Sequence, residues 1–208
     1  ERPASVVKEL LENALDASPG QIDVTIEQGG ISLVRVVDDG CAIEPDDLPL
    51  AVQPHATSKL RVAEDLDQIA TLGFRGEALP SIASVARLTL ESRVRGAEDG
   101  WRRVVDHGEA VEEGPAALPY GTRVRVEQIF ARIPARRKFL RTARSEYMAC
   151  LDIVRRLAMA RPDVAISLTH GERRIFGLQA DEPLVDRVSG IIARELKENS
   201  VAIDLERP

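Results

Sequence analysis

After two residues the sequence continues with Pro-Ala-Ser-Val-Val-Lys-Glu-Leu-Leu-Glu-Asn-Ala-Leu-Asp-Ala at residues 3–17. Apolar side chains recur in this stretch at the spacing of one helix face, and a proline suits the first turn of a helix. Glu9, Asn13 and Asp16 follow one another at i, i+4 and i+7, so a helix places them together on the side opposite the apolar stripe. We therefore predict an amphipathic helix with one face buried in the core.

The polar face of this helix has two interpretations. Carboxylate and amide oxygens are suitable ligands for a hard divalent cation, and a carboxylate can also act as a base toward a water molecule. The same three residues also suit an ordinary solvated face. Their spacing alone leaves both interpretations open.

Beyond this helix the sequence mixes strand patterns and helix patterns without a regular repeat. The predicted strands are 22–26, 31–37, 87–93, 101–106, 109–112, 122–128, 163–169, 174–178 and 201–205. The predicted helices are 45–53, 64–70, 76–86, 134–143, 145–160 and 183–197. The many hairpins indicate an α+β fold. We predict one domain over residues 1–180 and the beginning of a second, truncated domain over 181–208.

Composition excludes several classes of protein. The 208 residues are 44% hydrophobic, which is too apolar for a disordered chain, and no apolar run approaches the roughly 20 residues that span a bilayer. Two cysteines are too few for a disulfide framework and favour a reducing, cytoplasmic setting. The three histidines have no partner at zinc-ligand spacing. A net charge of −6 argues against nucleic-acid binding over the whole surface.

One segment is nevertheless strongly basic. Residues 131–144 contain six positive charges and no acidic residue, and removing them takes the net charge from −6 to −12. We call these residues the basic strip: Arg132, Arg136, Arg137, Lys138, Arg141 and Arg144. The strip is either a local contact for nucleic-acid phosphates or a solvated helix face.

Two short motifs could contact a ligand. Asp-Asp-Gly at 38–40 directly follows a predicted strand, where a carboxylate can accept a hydrogen bond and a glycine permits close approach. Gly73 and Gly76 lie three residues apart at a predicted helix start, where free backbone N–H groups can hold phosphate oxygens. An ordinary turn and an ordinary helix-entry loop are the alternatives.

The order of the motifs is more specific than any one of them. Residues 9–17, 38–40, 72–79 and Tyr-Gly-Thr at 120–122 resemble the four ATP-site motifs of the GHKL superfamily, which includes the ATPase component of DNA gyrase, heat-shock chaperones and sensor histidine kinases. Three further stretches resemble the bacterial MutL family of DNA mismatch repair proteins: residues 1–10, His-Ala-Thr-Ser-Lys at 55–59 and Pro-Ala-Arg-Arg-Lys-Phe-Leu-Arg at 134–141. The resemblance extends to about residue 178. It implies the Bergerat fold, a two-layer sandwich with a mixed, mainly antiparallel sheet covered by helices.

The resemblance also implies roles for single residues, with ATP and Mg²⁺ as cofactors. Glu9 corresponds to the general base for the attacking water, and Asn13 to the Mg²⁺ ligand. Asp38 corresponds to the acceptor for the adenine amine, Gly40 to the glycine that lets the base approach, and Thr122 to a hydroxyl near the adenine.

The remaining implied ATP contacts belong to a lid that wraps the phosphates. These residues are Thr57, Ser58, Lys59, Gly73, Phe74, Arg75 and Gly76. Asp16 is expected to support the helix instead. Nucleotide binding is expected to order the lid and to drive homodimerisation through N-terminal contacts, and hydrolysis to reset this state.

The family's partners follow from the same resemblance. They are DNA, a MutS-type mismatch-recognition protein and a downstream helicase or nuclease, for a cytoplasmic, nucleoid-associated protein. Arg132, Arg136, Arg137, Lys138 and Arg141 of the basic strip are the predicted DNA contacts.

Some features depart from the family pattern. Ala42 stands where the family usually has glycine, and Asp39 where asparagine is common. By the resemblance, we expect these residues to exclude the family's N-terminal arm and most of its second domain, which supplies a lysine to the terminal phosphate. We therefore expect these 208 residues to bind nucleotide weakly, if at all, and to hydrolyse it very slowly. The alternatives are another GHKL ATPase or kinase, and a DNA-binding or scaffold module with an impaired pocket.

Overall fold

The computed structural model describes residues 2–53 and 78–199. Within them the strands form an eight-stranded sheet of order β5-β4-β3-β6-β2-β1-β7-β8. All neighbouring strands are antiparallel except β1 and β7, which are parallel. The strands are β1 Gln21–Glu27, β2 Leu33–Asp38, β3 Arg87–Arg93, β4 Gly100–Asp106, β5 Glu109–Ala116, β6 Gly121–Glu127, β7 Ala165–His170 and β8 Arg173–Leu178.

The helices vary widely in length. They are α1 Pro3–Asp16, α2 Leu48–Ala51, α3 Ala78–Ala83, α4 Pro134–Arg137, α5 Ala143–Ala160 and α6 Leu184–Ile191. Short 3₁₀ turns lie at Gln28–Gly30, Pro45–Asp47 and Arg194–Lys197. Among the described residues, no helix combines the length and the apolar character that crossing a membrane requires.

The core lies between the sheet and the long helices α1 and α5, which contact each other. Ile22, Val24 and Ile26 alternate with polar residues on β1, and all three are buried. They meet the apolar stripe of α1, in which Val6 and Leu11 are completely buried. Full burial of one such side chain stabilises the fold by about 1.5–3 kcal/mol. The predicted α+β fold with helices covering a mainly antiparallel sheet is confirmed.

The predicted helix over 134–143 is wrong, because α4 ends at Arg137. The backbone N–H of Arg141 donates to the buried carboxylate of Glu146 (2.9 Å) and not to a helical carbonyl. Thr142 then has an extended backbone, and its hydroxyl caps α5 by accepting from the N–H of Ser145 (3.2 Å). The helical pattern is lost just after α4, where Phe139 and Leu140 donate to carbonyls three residues back (3.1 and 3.2 Å), and the bond to Glu146 then keeps Arg141 from resuming it.

Two other helix predictions are too long. The stretch 45–53 forms a 3₁₀ turn followed by α2, since Pro49 has no N–H to continue the first turn. The stretch 183–197 forms α6 and a separate turn, because Ala193 is extended (φ −160°, ψ 133°). The predicted helix 64–70, the beginning of helix 76–86 and the strand 201–205 lie outside the described residues.

A completely buried arginine joins α6 to the rest of the fold. The guanidinium of Arg187 donates to the backbone carbonyls of Ala158, Arg161, Val164 and Gln179 at 2.8–2.9 Å. Its five N–H groups suit such a set of carbonyls. The first helix after residue 180 therefore docks on α5 and β8, while the division into two domains stays a prediction.

Candidate functional site

The candidate site begins where β2 ends. Asp38 is the last residue of β2, and Thr122 of β6 lies directly opposite it in the antiparallel register. Both residues are 7% exposed. One oxygen of the Asp38 carboxyl accepts a hydrogen bond from the N–H of Gly40 (3.0 Å). The strand pair thus places a carboxyl group and a hydroxyl group side by side on the helix-covered face.

The Asp38 carboxyl is electrostatically unusual. Burial raises its pKa to about 6, the negative charge of Asp39 adds to the rise, and the hydrogen bond from Gly40 opposes it. A buried, ionised carboxylate is poorly solvated unless donors surround it. An incoming N–H donor from a ligand would therefore be strongly favoured at this position.

Two glycines permit the close backbone packing around Asp38. Gly121 has φ +117°, and a Cβ there would lie 2.0 Å from the carbonyl oxygen of Asp38. At Gly40 a Cβ would lie 2.6 Å from the carbonyl oxygen of Ala17. Gly40 was predicted to let a ligand approach. The structure gives it a further reason, which is the close approach of the last turn of α1.

The segment after Asp38 is fastened to its neighbours. Cys41 donates its N–H to the carbonyl of Ala17 (2.7 Å), directly after α1. The Asp39 side chain accepts from the N–H groups of Gly20 and Gln21, both at 2.8 Å. The common asparagine is thus replaced by a carboxylate that holds the start of β1. These bonds bring the end of α1 next to Asp38.

Ser92 completes this corner, and no motif in the sequence pointed to it. Its hydroxyl, on a residue only 2% exposed, accepts from the N–H of Ile43 (2.8 Å). It also lies 3.0 Å from the Thr122 hydroxyl and 3.3 Å from the carbonyl of Gly121. A serine inside a strand carries no recognisable signal in the sequence. Gly121 could have been singled out, since it belongs to the Tyr-Gly-Thr motif.

The polar face of α1 is present as predicted. Glu9, Asn13 and Asp16 are all half-buried, on the helix whose other side forms the core. Among the described residues there is no cluster of three or more His, Cys, Asp or Glu side chains that could hold a metal ion. Mg²⁺, however, commonly takes only one or two protein ligands together with phosphate oxygens and water. An amide and a carboxylate one turn apart fit such a site.

The predicted lid residues cannot be placed. Thr57, Ser58, Lys59, Gly73, Phe74, Arg75 and Gly76 lie outside the described residues. Their predicted contacts with the phosphates stay predictions.

All six residues of the basic strip are exposed. Arg132 pairs with Asp106 (2.5 Å), and the Arg136 guanidinium lies over the Phe130 ring, 5.8 Å from its centroid. The strip begins two residues before α4, continues through α4 and the loop after it, and ends in the first turn of α5, so its charges do not form one helix face. Its far end is held by Glu146, which binds the N–H of Arg141 as described above.

Glu146 also connects the strip to α1. Its carboxylate is 3.1 Å from the guanidinium of Arg2, the residue that precedes the first turn of α1. The strip and the helix that carries Glu9 are therefore held by the same buried carboxylate.

The family of the chain follows from comparison with known proteins. Residues 1–129 match the family model described as histidine kinase-, DNA gyrase B-, and HSP90-like ATPase. The chain belongs to this family of ATPases. The resemblance to the GHKL superfamily is thereby confirmed, with α1 and the Asp38–Thr122 pair inside the matched range.

Whole-chain comparisons are more specific. The chain is 58% identical to the DNA mismatch repair protein MutL of Rhizorhabdus wittichii and 60% identical to that of Sphingopyxis alaskensis, in each case over 207 residues. It spans about a third (34%) of the length of these relatives. Its fold is similar to the Aquifex aeolicus MutL ATPase domain complexed with ADP, with TM-score 0.74 and 30% identity over 92% of this chain and 68% of that one. The predicted resemblance to the MutL family is confirmed.

Proposed function

We propose that this chain is the ATP-binding and ATP-hydrolysing part of a MutL-type DNA mismatch repair protein. The observation that carries the proposal is the buried Asp38–Thr122 pair beside the end of α1, within the fold of this ATPase family. The similar Aquifex aeolicus domain, described as complexed with ADP, supports a nucleotide ligand.

Asp38 and Thr122 would recognise the adenine. The exocyclic amine of adenine is a donor, and the ionised Asp38 is a buried acceptor with one oxygen already bound to Gly40. A donor from the ligand would stabilise the charge that burial disfavours. The Thr122 hydroxyl would bind the base directly or through one water molecule.

Glu9 and Asn13 would act at the phosphates. Asn13 would hold Mg²⁺, which supplies positive charge to the phosphate oxygens. Glu9, one turn earlier on the same face, would orient the attacking water and accept its proton. Both side chains are half-buried, so water has access while the carboxylate is partly shielded.

Further parts of the proposal concern the whole protein. The lid residues named above would cover the phosphates, and lid ordering would drive N-terminal dimerisation. The basic strip would contact DNA, and the partners would be a MutS-type protein and a downstream helicase or nuclease, in a cytoplasmic, nucleoid-associated protein. All these steps rest on similarity to relatives that are about three times as long.

The test combines Mg-ADP and Mg-ATP titration calorimetry with single-turnover ATP hydrolysis. Glu9→Gln is expected to slow hydrolysis by about 100-fold or more while nucleotide affinity is retained, because a general base is lost and no binding contact to the base is changed. Glu12→Gln is the matched control on the same helix, where the side chain pairs with Lys8 (2.9 Å), and it should hydrolyse normally. Unchanged hydrolysis in Glu9→Gln would show that another group is the base, and a wild-type chain that binds neither nucleotide would refute the proposed function.

A further inference from the structure

The hydroxyl of Ser92 lies at one end of a row of polar side chains that crosses three neighbouring strands. Ser92 on β3 is directly opposite Thr122 on β6, and Thr122 is in turn opposite Asp38 on β2. Directly opposite residues point to the same face of a sheet. The three side chains therefore form a row across the strands, with Ser92 behind Thr122 as seen from Asp38.

The hydroxyl of Ser92 can donate one hydrogen bond and has three polar neighbours: the N–H of Ile43, the carbonyl of Gly121 and the hydroxyl of Thr122. A serine hydroxyl has one donor and two acceptor positions. The N–H of Ile43 uses one acceptor position, and the carbonyl of Gly121 can only receive a proton. The Thr122 hydroxyl can either donate to Ser92 or accept from it.

These neighbours allow two proton arrangements. If Ser92 donates to Gly121, Thr122 can donate to Ser92 and then offers only lone pairs to a ligand. If Ser92 donates to Thr122, the proton of Thr122 is free to point toward a ligand. The group to which the Ser92 hydroxyl donates thus decides whether Thr122 acts toward a ligand as an acceptor or as a donor.

We propose that Ser92 is a positioning residue that sets the hydrogen-bonding direction of Thr122 and so contributes to the base selectivity of the nucleotide pocket. This inference rests on the proposed function. Adenine offers Asp38 its amine, and the neighbouring ring nitrogen is an acceptor that requires a donor such as Thr122. Hypoxanthine instead presents a carbonyl and a ring N–H at these two positions, so it needs the opposite arrangement.

Ser92 has a second effect on the same pocket. Its bond with the N–H of Ile43 joins β3 to the segment 41–43, which follows the Asp38 turn. Replacement of Ser92 by alanine leaves the N–H of Ile43, which belongs to a half-buried residue, without its acceptor, and leaves Thr122 without its hydroxyl neighbour. Glu9 and Asn13 lie on a different element, the helix α1, so the chemical step should not depend on Ser92.

The experiment measures the affinities of Mg-ADP and Mg-IDP by calorimetry in the 208-residue chain and its variants. Ser92→Ala is expected to weaken ADP binding by about five- to tenfold, the equivalent of one hydrogen bond. IDP binding should change by about twofold or less, so the preference for ADP falls. Ser92→Thr, which restores a hydroxyl, should recover the ADP preference. In single-turnover hydrolysis, Ser92→Ala should raise the ATP concentration that gives the half-maximal rate by about the same factor as it weakens ADP binding.

Thr89→Val is the matched control. Thr89 is a buried hydroxyl residue on the same strand (8% exposed), but it lies on the opposite face of the sheet. The Thr89→Val substitution should weaken the binding of neither ADP nor IDP. If Ser92→Ala loses ADP and IDP affinity equally, or no more than Thr89→Val does, Ser92 has only a structural role. Absence of ADP binding by the wild-type chain would instead overturn the proposed function, and with it the role of Ser92.

Discussion

Replacement of Asp38 by asparagine should make the fold more stable and the nucleotide site weaker. A carboxyl whose pKa is raised in the folded state stabilises that state fully below its unfolded pKa, and this stabilisation is lost as the pH rises through the folded pKa. For Asp38 burial raises the pKa from 3.8 to about 6, so the loss is almost complete at pH 7. The ionised group then destabilises the folded state.

The size of the effect follows from these two pKa values. A difference of about 2 units corresponds to about 3 kcal/mol at neutral pH. In Asp38→Asn the amide oxygen can still accept from the N–H of Gly40. The buried NH₂ group of the asparagine lacks an established partner, and this costs about 1 kcal/mol of the stability gained by removing the charge. We expect the variant to be more stable than the wild type by about 2 kcal/mol at pH 7, and this advantage to shrink by about 1.3 kcal/mol at pH 5.

The assay is urea denaturation of both proteins at pH 5, 6 and 7, so that all other titrating groups cancel in the difference. Mg-ADP affinity at pH 7 should fall by about 10- to 100-fold in the variant, because a hydrogen bond to a charged acceptor is lost. Asp39→Asn is the matched control. It removes the charge next to Asp38, from a side chain that binds the N–H groups at the start of β1. A stability difference that does not vary with pH would refute the reasoning, as would a variant less stable than the wild type at pH 7.

Three further changes test other parts of the structure. Gly121→Ala should destabilise the fold by at least about 2 kcal/mol in urea denaturation, because φ is +117° and the added Cβ would meet the Asp38 carbonyl; normal stability would contradict the observed packing. Glu146→Ala should destabilise the chain by about 1–3 kcal/mol and Glu146→Gln by less, since the amide oxygen can replace the lost acceptor; equal losses would show that the charge alone matters. The double change Arg136→Glu and Arg137→Glu should weaken duplex DNA binding and flatten its salt dependence, and unchanged binding would leave the basic strip as a solvated surface.

Most elements could be predicted because their signal is local. The apolar stripe of residues 3–17 and the alternation in 22–26 depend only on neighbours in sequence, and both elements were placed within one or two residues. The strand 87–93 was predicted with its observed bounds. The prediction of a helix over 134–143 is wrong beyond Arg137, because the backbone that follows forms turns and is held at Arg141 by Glu146, a residue of the next helix, and no periodicity inside the stretch reports such a contact.

In the candidate site, too, some residues could be predicted from the sequence, and others depend on long-range contacts. Asp38 and Thr122 belong to motifs that could be recognised from their order along the chain. Ser92 could not be recognised, because its importance comes from its position opposite Thr122 and from the N–H of Ile43, and both are long-range contacts. The need for glycine at position 40 could be predicted only in part, since the close approach of its backbone to Ala17 depends on how α1 ends.

The contacts among Asp38, Thr122 and Ser92 depend on the register in which β2, β6 and β3 pair. Side chains alternate between the two faces of a strand, so a slip of one residue between β6 and β2 would turn Thr122 away from Asp38. Gly121 restrains that slip, since its backbone lies against the Asp38 carbonyl more closely than any side chain would permit. Ser92 restrains it from β3 through its contacts with residues 121 and 122. The groups that hold the register are therefore neighbours of the groups proposed to read the base, and the slip that would turn Thr122 away from Asp38 would also turn the buried Val124 and Val126 away from the core.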